Sequence, residues 1–91
     1  MSQASVDFVK ECKIYIDRGY FQALEAFVIE HLHADNIAWE YVLQKVYIHA
    51  CLRKLPEIAE KIMSYAALLD PIQQIAIRQT LPYGKWLLQR Q

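Results

Sequence analysis

The apolar residues of this chain recur at intervals of three and four rather than two, from Phe8 through to Leu88. That is the period of one helix face, not the alternation of a half-buried strand. Interruptions are few: two glycines and three prolines in 91 residues. The pattern predicts an all-α domain, helices joined by short turns.

The first helix is expected over about 5–18, with Ser5 as N-cap and Asp7 in its first turn. Phe8, Val9, Cys12, Tyr15 and Ile16 form its apolar stripe. Gly19 lies just past the last periodic residue, where a left-handed backbone ends helices and glycine adopts it cheaply. The second helix runs to about 33, with Tyr20, Leu24, Phe27, Val28 and His31 or Leu32 facing inward. Ala23 and Ala26 are small enough to bring it close to the first. Asp35 or Asn36 can cap a third helix over about 37–54, apolar almost all round. Such a helix is buried centrally or holds an interface. Pro56 suits the first turn of a fourth helix, and Asp70-Pro71 repeats that logic for a fifth over about 72–80. "LPYGK" should break the fifth helix, and "WLLQRQ" should form a short apolar turn or helix that docks on something. The expected domain therefore covers 1–91 as a hairpin over 5–34, a hairpin over 36–70, and a C-terminal helix and tail over 71–91.

A shift of 36 positions overlays Cys12 on Ile48, Ile16 on Leu52, Ala23 on Ala59 and Phe27 on Met63. Repetition of a helical hairpin suggests an array of antiparallel hairpins of about five helices. "AEKIMSYAALLDP" resembles the second helix of a tetratricopeptide repeat, through Ala59, Met63, Ala66 and Pro71. Trp39 falls a few residues too early for that family's first-helix tryptophan, so the first half is degenerate. "FVKECKIYIDRGYFQALEAFVIEHL" with "WEYVLQKVYIHACLRKLPEIAEKIM" is similar to the helical-hairpin module called CTLH. Its Gly-Tyr-x-x-Ala-x-x-x-Phe run also resembles the LisH dimerisation motif, with one residue fewer between tyrosine and glycine. "LPEIAEKIMSY" resembles the F-box of ubiquitin-ligase adaptors, without the usual residue between proline and glutamate. These resemblances imply protein binding by a scaffold, adaptor or assembly subunit, with no chemistry.

Ten basic residues balance ten acidic ones, with no run of either sign. Phosphate neutralisation, and with it nucleic-acid binding, gets little support. It would need Lys45, Arg53, Lys54, Arg78, Lys85 and Arg90 to converge. Cys12 and Cys51 make no disulfide framework and read as reduced, buried thiols. "MSQASVDFVKE" lacks the pattern of a secretory signal, and no apolar run reaches spanning length. No membrane partner is expected, and the compartment expected is the cytoplasm, with the nucleus left open. His31, His33, His49 and Cys51 invite a metal, but each pair is spaced by two, which separates them on a helix. Glu30 and His33 have a di-iron spacing without the second unit it needs. Ser2 and Ser5 sit near a terminus and Ser64 on a polar face, with no glycine-rich loop. No catalytic residue, metal or cofactor is expected, and the chain does not read as an enzyme.

Hydrophobic residues make up 55% of the chain, more than a small body can hide. Tyr15, Phe27 and Tyr47 are expected in the core. Trp39, Tyr83, Trp86, Leu87 and Leu88 are expected to dock on a protein partner or on a second copy of the chain. An alternative is a small-molecule or cofactor-binding bundle, with a pocket lined by Tyr20, Phe27 and Trp39.

Overall fold

α3 (Trp39–Leu52) is the axis of the fold. Its apolar girdle buries Trp39, Val42, Leu43, Val46, Tyr47, Ala50 and Cys51. Of the two outcomes open to such a helix, central burial is the one realised. The structure, a computed structural model, describes residues 2–90. Around α3 pack α1 (Gln3–Arg18), α4 (Pro56–Tyr65), α5 (Pro71–Arg78) and α6 (Leu81–Gln89), while α2 (Phe21–His31) packs on α1. A 3₁₀ turn, Ala66–Leu68, follows α4, and the described residues contain no strand. One continuous core runs from Phe8 in α1 to Leu87 in α6.

The joint after α1 is built as its glycine suggests. Gly19 has φ 74°, its N–H bonds the Ile16 carbonyl at 3.1 Å, and the Tyr20 N–H bonds the Tyr15 carbonyl at 2.8 Å. This pair of bonds is a Schellman motif. The same motif ends α3, with Lys54 at φ 58° in the glycine's place. The Lys54 and Leu55 N–H groups bond the Cys51 and Ala50 carbonyls, both at 3.0 Å. The two joints lie 35 residues apart (19 to 54) rather than 36. In that register Phe8, Cys12, Ile16 and Leu24 fall on Leu43, Tyr47, Cys51 and Ala59, buried on buried throughout. A shift of 36 instead matches buried Ile16 with exposed Leu52.

Ser2, not Ser5, caps α1, accepting the Ser5 N–H at 3.3 Å. Ser5 is buried and serves the next joint. Its Oγ accepts the Ala38 N–H at 2.8 Å, just ahead of α3. The Ser2 hydroxyl donates to the Asn36 carbonyl at 2.9 Å, so the Ser5 proton goes to Ser2 Oγ at 3.0 Å. This relay of single protons ties the start of α1 to the α2–α3 connection.

Two further expectations are corrected. Ala23, Ala26 and Tyr20 are exposed, so small side chains do not bring α2 onto α1. Ring stacking does, between Phe8 and Phe27, with centroids 4.1 Å apart. "LPYGK" is not a break but the start of α6. Pro82 occupies its first turn, where no N–H partner is lost. Gly84 is buried against α3, where an added Cβ would lie 2.6 Å from Tyr47 Cζ.

Candidate interaction face

The five residues expected to form a docking face do not share one. Trp39 is 2% exposed, edge-on to Phe8 at 4.9 Å, because it opens the central helix beside α1. Among the described residues its indole N–H has no hydrogen-bond partner. Leu87 is 3% exposed and joins the core, since it lies about 100° round α6 from Trp86. Leu88 is half-buried against that core. Tyr83 and Trp86, at 52% and 53% exposed, do face solvent. They lie three positions apart on α6, and their rings stack at 5.9 Å and 18°.

Sequence reasoning missed a cation beside this pair and several further exposed apolar residues. The Arg90 guanidinium lies over the Trp86 ring, 5.3 Å from its centroid. On α5, Ile72 is 82% exposed and Ile75 is also open, while Ile77 is fully buried. The signal was available: residues 72 and 75 share a helix face, and residue 77 points away from it. Leu68, in the 3₁₀ turn, adds a further exposed aliphatic side chain.

The remaining chemical candidates are structural. His49 Nε2 and Arg53 Nε both donate to Asp17 Oδ1, at 2.8 and 2.9 Å, linking α3 and the residue after it to α1. The Asp17 carboxyl is held below its ordinary range, first by the His49 hydrogen bond and then by the charges of His49 and Arg53. Cys51, two residues on, turns inward and is buried. Burial pushes the Cys12 thiol up to about 12 and raises that of Cys51, so both stay protonated and poorly nucleophilic. His31 packs against Phe8 and Phe27, with its Nδ1 2.9 Å from the Phe27 carbonyl oxygen. Among the described residues, no group of three or more His, Cys, Asp or Glu side chains is placed to hold a metal ion. No helix of the described residues is long and apolar enough to cross a membrane.

The pocket expected from Tyr20, Phe27 and Trp39 is not assembled. Tyr20 is exposed, and the other two rings pack on Phe8. An apolar cleft does lie between α2 and α4, lined by Phe21, Leu24, Ile58, Ile62 and Tyr65 and spanned by a Lys61–Glu25 ion pair. Its volume is about 100 Å³, below the roughly 300 Å³ at which small-molecule sites begin. The basic residues are dispersed as well. Arg53 is committed to Asp17, Lys45 lies over the Tyr41 ring, and Lys54 donates to the Leu87 and Arg90 carbonyls. No family model matches the chain, and neither a curated protein nor a solved structure does.

Proposed function

We propose that this chain is a non-enzymatic protein-interaction module, an adaptor or small subunit of a larger assembly, built as a tetratricopeptide-like array of helical hairpins. It binds its partner through the outward faces of α5 and α6, with Tyr83 and Trp86 as anchors and Leu88 behind them. The hairpin reading is supported by the Schellman joint repeated at an offset of 35 residues. One observation carries the functional reading: a stacked Tyr83–Trp86 pair stands open to solvent, while α5 exposes Ile72 almost completely. Neither helix needs these side chains for its own packing, since Ile77, Gly84 and Leu87 supply the buried contacts. Tyrosine and tryptophan bury much area at little entropic cost, which suits them to hot spots. A photo-crosslinker at position 83, used in cells, tests the reading. Discrete protein adducts that disappear in Trp86→Ala are expected. Adducts unchanged by Trp86→Ala would show that this face binds nothing specific.

A further inference from the structure

α6 is tied to the rest of the fold by few side chains, and one residue supplies the polar ties. Gln79 and Thr80 join it to α5, yet the element it packs on is α3. Leu87 is its one fully buried side chain, with Leu81 and Leu88 half-buried. Gly84 lets the helix lie against the Tyr47 ring, and it also weakens that helix, since its backbone loses more freedom on ordering. Among the described residues α6 takes part in no ion pair. Beyond its own caps, its hydrogen bonds to the rest of the fold come from the Lys54 ammonium, which donates to the Leu87 and Arg90 carbonyls. The last carbonyls of a helix have no partner within it, so this charge satisfies an otherwise open end. Lys54 reaches them from the joint between α3 and α4, as the one non-glycine residue at positive φ among those described. A glycine would turn that corner without strain. What the lysine adds there is its grip on α6.

We infer that α6 is a strap over α3 with Lys54 as its latch, and that it lifts as a unit while the other helices stay packed. Lifting needs rotation only about Gln79 and Thr80, and the principal interface it breaks is the one with α3. It opens the seat beside Tyr47, whose ring Gly84 now covers. The latch holds the end of α6 farthest from that hinge, so one ammonium restrains the whole length of the helix. Segments that move are drawn from the weakly held parts of a fold, and backbone strain persists where the surrounding structure depends on it. The inference is independent of the interaction reading, because it concerns the inner side of α6 and not Tyr83 or Trp86.

Native-state hydrogen exchange on the full chain, across a series of low urea concentrations, is the test. The Leu87 and Leu88 amides are expected to exchange faster than those of Val46 and Tyr47. Their rates should also depend less on urea, because lifting α6 exposes less surface than unfolding does. Lys54→Gly separates the latch from the fold. It removes the ammonium, which holds only the closed state. It also removes the left-handed strain, which the closed and lifted states share and the unfolded state lacks. The α6 amides should therefore exchange about tenfold faster than in the parent. The α3 amides should stay within about threefold, because relief of strain offsets loss of the latch. Equal rates and equal urea slopes for α6 and α3 in the parent would overturn the inference, since α6 would then open only with the whole fold. So would α6 exchange in Lys54→Gly that is unchanged, or that rises only in step with α3.

Discussion

A methyl group at position 84 has nowhere to go, because the Tyr47 ring already fills the space a Cβ would need. Gly84→Ala is therefore expected to destabilise the fold by about 1–3 kcal/mol despite its better helix propensity. Urea denaturation of the single variant, and of Gly84→Ala with Tyr47→Leu, checks the cause, since the smaller side chain should recover part of the loss. Lys54 carries two opposing effects. Its left-handed backbone costs about 1 kcal/mol, and its ammonium caps the carbonyls at the end of α6. Lys54→Ala loses the cap and keeps the strain, so it should be less stable than Lys54→Gly by about 1 kcal/mol in the same assay. Ser5→Ala leaves the Ala38 N–H without its acceptor and is expected to cost about 1–3 kcal/mol. Gly19 was legible in the sequence because a helix end and a glycine coincide. Lys54 and Ser5 were not. A left-handed lysine has no compositional signature, and the partner of Ser5 lies 33 positions away.

Elements inherit these choices. α1 and the end of α3 are held side by side by Asp17, whose carboxyl accepts from both His49 and Arg53. Its pKa is lower in the folded chain than in the unfolded one, chiefly through the His49 bond. The unfolded state therefore binds the proton more readily. The contribution is full above the unfolded carboxylate pKa and is lost as pH falls through the lower folded value. Thermal melts from about pH 7 down to about pH 2 should show Asp17→Asn less stable than the parent at neutral pH and converging on it in acid. A constant difference across that range would mean the latch is not ionic. The helical periodicity of α1, α2, α4 and α5 was readable because each buries one stripe, and that of α3 because its apolar residues recur at helical spacing around most of its circumference. α6 was not, because Pro82 and Gly84 are breakers by local propensity. A first-turn position and a tyrosine on another helix overrule them. The candidate face split for a similar reason. Exposure of Tyr83 and Trp86 followed from their awkward fit to a core, whereas burial of Trp39 depends on α1 crossing it.

At the scale of the whole molecule, stability converges on α3, which touches elements drawn from both ends of the chain. Its amides are expected to exchange last in native-state hydrogen exchange, behind those of α2 and α5. Exchange of α3 no slower than α5 would show that the core is not organised around it. Trp86→Ala, by contrast, should leave the melting temperature almost unmoved, because its ring is not part of that core. The central position of α3 also sets a timetable for synthesis. The helix leaves the ribosome with α1 ready to meet one flank, while its other flank waits for residues up to 89. Until α6 emerges, Tyr47 on the nascent chain lacks the helix whose Gly84 packs against its ring. Such a chain invites a chaperone, and its dependence on one should end when α6 is released.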